Sequence, residues 1–154
     1  MKKKFYVIIH NIRSVHNVGS IFRTADALGV DKIFLTGYSP SPDQHKKISK
    51  TALGAEKMID WEKCWHIHRV LKELKKQKVK SYALEQDSRS ESLDEMEVNT
   101  PLALLVGNEV KGVSPIILDQ VDGIIEIPMS GGKESLNVSV AFGIAGYVIK
   151  NKLK

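Results

Sequence analysis

Four short stretches hold residue types that could do chemistry. Asn17-Val-Gly-Ser-Ile-Phe-Arg23-Thr24 places a carboxamide at an expected helix start and a guanidinium about one and a half turns further on. Such a guanidinium is a fork able to clamp a phosphate or carboxylate. Gly107-Asn-Glu-Val-Lys-Gly112 follows directly on the apolar run Leu102–Val106, and a glycine there lets the backbone approach a ligand closely. Ile127-Pro128-Met129, followed by Ser-Gly-Gly-Lys133, ends a second apolar run in a loop whose free backbone groups could hold a purine edge. Ser135-Leu136-Asn137 sets two polar side chains where another helix begins. Ordinary alternatives exist: a helix cap with a solvated arginine for the first, a plain turn for the second, a cap for the last. Their order and shared position at strand ends make them informative together, because ligands of open α/β sheets sit beyond the carboxyl ends of the strands. A small-molecule pocket made largely of backbone is expected.

Other chemistries lack their residues. Gly107 and Gly112 have the glycine spacing of a P-loop, but Val113 stands where its lysine belongs. No G-x-G-x-x-G follows a strand, and no G-x-S-x-G nucleophile elbow occurs. The five histidines are scattered; His66 and His68 fall two apart on an expected helix and face different ways, so no metal site is assigned.

The elements that must position these residues follow from periodicity. Phe5–His10 reads as a strand, Asn11–His16 as a loop, and Asn17 as the cap of a helix with Ile21, Phe22, Ala25 and Leu28 at helical spacing and Gly29 as its stop. Lys32–Thr36 is the next strand, and strand–helix–strand in so short a span is a βαβ unit with parallel strands. Gly37–Lys47 is a long loop, Ile48–Glu56 a helical turn, Lys57–Trp61 a weak strand, and Glu62–Gln77 an amphipathic helix buried through Ile67, Val70, Leu71 and Leu74. Lys80–Glu85 is a strand, and the polar Asp87–Thr100 holds a short helix near Leu93–Glu97. Leu102–Val106 is the most apolar strand and belongs at the centre of the sheet. Ser114-Pro115 opens a short helix, Gly123–Ile127 is the last strand, and Asn137–Lys150 is a helix with Val140, Ala141, Ile144 and Val148 on its apolar face. This alternation gives an α/β fold: a mostly parallel sheet with helices on both faces, expected as one domain over 1–154.

Composition sets the setting. With 42% hydrophobic and 27% charged residues the chain is ordinary globular material. Cys64 is the only cysteine, which excludes an internal disulfide and fits a reducing compartment. The apolar run after Met-Lys-Lys-Lys is short, ends at His10-Asn11 and has no small-residue cleavage site, so it reads as a strand of a cytoplasmic protein rather than a signal peptide, and no run is long enough to span a bilayer. The net charge of +5 suits a polyanionic partner and plain solubility equally.

Three blocks resemble those of a known family. The chain resembles the TrmH (SpoU) branch of the SPOUT superfamily, the S-adenosylmethionine-dependent RNA ribose 2′-O-methyltransferases. His16-Asn17-Val-Gly-Ser-Ile-Phe-Arg23-Thr24 is similar to its first block, Leu105-Val106-Gly107-Asn108-Glu109-Val-Lys-Gly112 to its second, and Ile127-Pro128-Met129 through Ser135-Leu136-Asn137-Val-Ser-Val-Ala141 to its third. Val110 departs from the glycine many members carry.

The resemblance implies a C-terminal trefoil knot, an exception to the rule that chains are unknotted, and an obligate homodimer that binds S-adenosylmethionine and RNA, either transfer or ribosomal, without metal or membrane. It implies cofactor contacts from Leu105, Val106, Gly107, Asn108, Glu109, Gly112, Ile127, Pro128, Met129, Ser135, Leu136 and Asn137. It also implies catalytic roles for Arg23, Asn17, Glu109, Ser135 and Asn137. A guanidinium is a poor base, so Arg23 is expected to clamp the phosphate beside the target ribose. Lys46, Lys47 and Lys50, with Arg23, are the expected RNA contacts. Two other readings stand beside this one: a non-catalytic RNA-binding or assembly factor on the same scaffold, and a small-molecule methyltransferase or other nucleotide-binding enzyme.

Overall fold

In the computed structural model, residues 2–153 are described. The strands are β1 (Phe5–His10), β2 (Lys32–Thr36), β3 (Asp60–Cys64), β4 (Lys80–Leu84), β5 (Glu91–Ser92), β6 (Leu102–Val106) and β7 (Gly123–Glu126). The helices are α1 (Val15–Leu28), α2 (Ser49–Ala52), α3 (Ala55–Met58), α4 (Ile67–Lys76), α5 (Pro115–Leu118) and α6 (Val138–Lys152), with a turn of 3-10 helix at Lys46–Ile48 before α2.

The strands form one sheet in the order β3-β2-β1-β6-β4-β7-β5, and every pairing is parallel. β6 is the central strand, as its uninterrupted apolar sequence requires, and all five of its residues are buried. Alternate residues feed opposite faces. Val7, Ile9, Leu102, Leu104 and Val106 join Phe22 of α1 and Phe142, Ala145 and Ile149 of α6 in one core. Ile8, Ala103 and Leu105 join Ile67, Val70, Leu71 and Leu74 of α4 and Ile117 and Leu118 of α5 in the other. Burying each such large side chain contributes roughly 1.5–3 kcal/mol.

Several expectations are corrected. α1 begins one turn earlier than the apolar spacing indicates: Ser14, in extended backbone, is the cap, and its Oγ accepts from the Asn17 amide at 3.1 Å. β3 lies over Asp60–Cys64 rather than Lys57–Trp61, because pairing with β2 places Trp61 opposite Ile33, and α4 consequently starts at Ile67 rather than Glu62. Leu93–Glu97 is a turn after the two-residue β5, not a helix; Leu93 and Met96 are buried there as plugs of the core. Ile48–Glu56 divides into α2 and α3, with Leu53 in the left-handed region between them. On α6 the inward residues are Phe142, Ala145, Gly146 and Ile149, whereas Val140 and Ile144 are exposed. Gly146 has the reason in its missing side chain: a Cβ there would stand 2.7 Å from Leu28 Cδ1, so α1 and α6 approach through it. The helix is apolar nearly all round, and periodicity could not choose its buried side.

Candidate active site

A cavity of about 780 Å³ opens beyond the carboxyl ends of β4 and β6, within the roughly 300–1,000 Å³ usual for ligand pockets. Its walls are the segment from Leu84 to Asp87, the loop from Val106 to Val113, residues 135–138, and Asn17. A lobe of about 170 Å³ continues it along the end of β7, adding Ile127 and Met129.

Two glycines shape the loop after β6. A Cβ on Gly107 would lie 2.7 Å from Val113 Cγ2 and 2.9 Å from the Gly112 carbonyl, so only glycine lets the loop close on itself there. Gly112 takes a φ of +67°, and a side chain on it would strike the Glu85 carboxylate. That carboxylate accepts the Val113 amide at 3.0 Å, so β4 buttresses the loop from below. Asn108 holds it from within: its Oδ1 accepts the Val110 and Lys111 amides at 2.9 and 2.8 Å. Gln86 Nε2 donates to the Glu134 carbonyl at 2.7 Å, tying the far wall to the 128–137 loop.

A hydrogen-bonded chain links the three sequence blocks. Asn137 Nδ2 donates to Asn17 Oδ1 at 3.3 Å, and Asn17 Nδ2 donates to Glu109 Oε1 at 3.4 Å. Glu109 also accepts the Ser14 amide at 3.1 Å and the Arg13 amide at 3.4 Å, where the positive end of the α1 dipole lies. Burial pushes the Glu109 carboxyl up, but its own amide, those of Ser14 and Arg13, and Asn17 outweigh this and hold it below the usual carboxylate value. Asn137 doubles as the cap of α6, its Oδ1 accepting the Ser139 amide at 2.9 Å. Because Ser14 does the capping of α1, the Asn17 side chain is free for this bridging task.

The structure thus gathers Asn17, Val106, Gly107, Asn108, Glu109, Gly112, Ser135, Leu136 and Asn137 around one cavity, with Ile127 and Met129 on its side lobe. Leu105 is fully buried in the core on the α4 side, and its side chain does not line the cavity. Pro128 is exposed beside the lobe without lining it. Arg23 is elsewhere: exposed on α1, it lines a separate groove of about 540 Å³ with His16, Ser20 and Lys50. Lys46 and Lys47 are exposed in the 3-10 turn on the approach to α2. Glu85, Gln86 and Asp87 line the cavity without having been singled out in the sequence; their place at the end of β4 is the signal that marks them.

The cavity suits S-adenosylmethionine. Its volume is ample, its glycines leave backbone where side chains would intrude, and its walls carry the carboxylates of Glu85, Asp87 (paired with Arg89) and Glu109 against the cation Lys111, a balance opposite in sign to a sulfonium and an ammonium group.

A parallel α/β sheet with such a cavity on its carboxyl edge places a ligand site where open α/β folds hold theirs. The model of the SpoU rRNA Methylase family matches residues 4–147, and the chain belongs to that family. It is 32% identical over 151 residues to a putative TrmH family tRNA/rRNA methyltransferase, YacO, of Bacillus subtilis, covering 98% of this chain and 60% of the relative. It is 36% identical to a tRNA (guanosine(18)-2′-O)-methyltransferase of Aquifex aeolicus, covering 95% of this chain and 68% of that protein. The structure of an AdoMet-bound rRNA methyltransferase from Sinorhizobium meliloti superposes with a TM-score of 0.88 at 25% identity, over 100% of this chain and 58% of the other. The chain spans less than two thirds of the length of several such relatives.

Proposed function

We propose that the chain transfers a methyl group from S-adenosylmethionine to a ribose 2′-hydroxyl of RNA. The observation that carries the reading is the Asn137–Asn17–Glu109 chain, which joins the three family blocks at the rim of a cavity suited to the cofactor. The cofactor supplies a sulfonium methyl: the 2′-oxygen bonds to that carbon as the carbon–sulfur bond breaks, and the hydroxyl proton leaves to a phosphate oxygen or to water.

The protein's own groups do the positioning. Backbone at Gly107, Ile127, Met129 and Leu136 holds the adenosyl part, and Leu105, Pro128 and Gly112 shape the segments that carry those amides and carbonyls. Glu109 fixes the loop after β6 against α1. Asn17, Ser135 and Asn137 face the substrate side and orient the ribose. Arg23 clamps the adjoining phosphate with its fork, aided by Lys50 in the same groove and by Lys46 and Lys47 nearby.

Arg23 lies outside the cavity of its own chain, so the proposal includes a homodimer in which it completes the cavity of a second copy. Val140, Ile144 and Tyr147 support this: they are 51%, 41% and 62% exposed along α6, an apolar stripe that a second copy would cover. The helix that carries Arg23 packs against α6, with Thr24 facing Gly143. A trefoil knot formed by the C-terminal segment, a single domain over 1–154 and a cytoplasmic setting belong to the same reading. Among the described residues, no helix is long and apolar enough to cross a membrane and no cluster of three metal-ligating side chains occurs.

The test is methyl transfer from isotopically labelled S-adenosylmethionine to unmodified transfer and ribosomal RNA pools, digested to nucleosides and read by mass spectrometry. A labelled 2′-O-methylnucleoside that disappears with Arg23→Ala is the expected result. Absence of both label and cofactor binding would overturn the reading in favour of a non-catalytic factor, and cofactor binding without RNA-dependent turnover would overturn it in favour of a small-molecule methyltransferase.

A further inference from the structure

A second hollow lies on the same carboxyl edge, beyond β1, β2 and β3. It encloses about 350 Å³ between Tyr38, Trp65, His66, His10, Asn11 and Ile116. Its rim carries two exposed aromatic rings. Trp65 is 61% exposed and Tyr38 40%. Both rings stand beside cations: Arg13 Cζ is 5.5 Å from the Tyr38 centroid and Lys63 Nζ 5.5 Å from that of Trp65.

The rim is built, not incidental. The Gly37 amide donates to the Trp65 carbonyl at 3.0 Å, which sets the two aromatic residues side by side. Lys63 Nζ donates to the carbonyls of Gly37 and Ser39, both at 2.6 Å, locking the same turn. The hollow also shares a wall with the cofactor cavity. Asn108, which lines that cavity, donates through Nδ2 to the Asn11 carbonyl at 2.8 Å and to Tyr38 Oη at 2.9 Å.

Resting on the methyltransferase reading, we infer that this hollow is an RNA subsite, in which an unpaired base neighbouring the target nucleotide stacks on Trp65 and Tyr38. Single-stranded RNA is held by aromatic faces for its bases and cations for its phosphates, and both are present here in one place. The imidazole of His66, the Asn11 carboxamide and the Ser114 hydroxyl supply donors and acceptors for the edge of a base. Seated there, the neighbouring base directs its own backbone over the loop from Gly107 to Gly112 toward the cofactor cavity.

The chain has two tryptophans, so Trp61→Phe leaves Trp65 as the only one. With that protein, a single-stranded oligoadenylate titrated at low salt should quench the fluorescence saturably. In the otherwise native chain Trp65→Ala should weaken oligoadenylate binding roughly 5- to 150-fold, the range of base–aromatic stacking. Trp65→Phe should keep most of the affinity. The salt slope should not change, because no phosphate contact is lost. S-adenosylmethionine affinity and the melting temperature should stay at the native values, and KM for RNA should rise more than kcat falls. Absence of quenching, or Trp65→Ala binding within twofold of the native protein, would overturn the inference. Native KM in Trp65→Ala together with normal methyl transfer would remove the subsite and leave the methyltransferase reading intact. Quenching by oligoadenylate in a protein that transfers no methyl group would do the reverse.

Discussion

The bridge through Asn17 makes a sharp prediction for Asn17→Asp. The exchange is isosteric, but it replaces the Nδ2 donor by an oxygen facing Glu109 Oε1 at 3.4 Å. Two like charges at that distance repel by about 5 kcal/mol at an effective dielectric of 20 and about 1 kcal/mol in bulk water. Asn17 is 8% exposed while Glu109 is open to solvent, so a cost of about 2–3 kcal/mol is expected between those limits. Asn17→Ala removes the same bonds without adding charge and should cost about 1–2 kcal/mol. The two differ in their response to pH. The added carboxyl would titrate above its unfolded value, so the folded state would hold the proton more tightly than the unfolded one, and the deficit would shrink as pH falls through that raised value. Urea unfolding at pH ~8 and pH ~5 for the native protein and both variants gives the comparison. Since the repulsion pushes α1 away from the loop after β6, S-adenosylmethionine affinity measured by calorimetry should fall as well. Equal deficits for both variants at both pH values would refute the reasoning, because the Asn17–Glu109 contact would then carry no electrostatic weight.

Three further outcomes are expected. His10 is buried, pairs through Nδ1 with Thr36 Oγ1 at 2.8 Å, and is lowered from 6.5 to about 4 by burial first and then by His68 and Lys63. The unfolded chain therefore takes up a proton that the fold refuses, and stability should drop as pH falls from 6.5 toward 4, by up to about 3 kcal/mol; His10→Asn should lose much of that slope in urea titrations, and an unchanged slope would refute the assignment. Gly112→Ala must accept a φ of +67° and displace Glu85 from the Val113 amide, so chemical denaturation should show a loss of about 2–3 kcal/mol and cofactor affinity should fall with it; a cost within experimental error would mean the loop is not braced as described. Arg23→Lys keeps the charge and loses the fork, so turnover should collapse while S-adenosylmethionine binding survives; near-native turnover would remove Arg23 from the catalytic group.

Much was legible in the residues alone. The uninterrupted apolar run Leu102–Val106 required a strand buried on both faces, and it is the centre of the sheet. Glycines directly after that strand marked the place where backbone can meet a ligand, and the cavity is there. Such signals are local, set by periodicity and by backbone freedom, and a chain carries them wherever it goes.

What the sequence could not determine depended on partners far away in the chain. Ser14 rather than Asn17 caps α1, and only the approach of Glu109 and Asn137 shows why the Asn17 side chain must be left free. The start of β3 was set by its register against β2, not by its own weak pattern. On α6, apolar nearly all round, the buried face was decided by packing against α1, with Gly146 set close to Leu28. Arg23 and Asn17 are near in sequence and point into different hollows, whereas Trp65 and Tyr38 are distant in sequence and share one. Spacing along a helix fixes direction only relative to that helix; which hollow a side chain enters is decided by what packs around it.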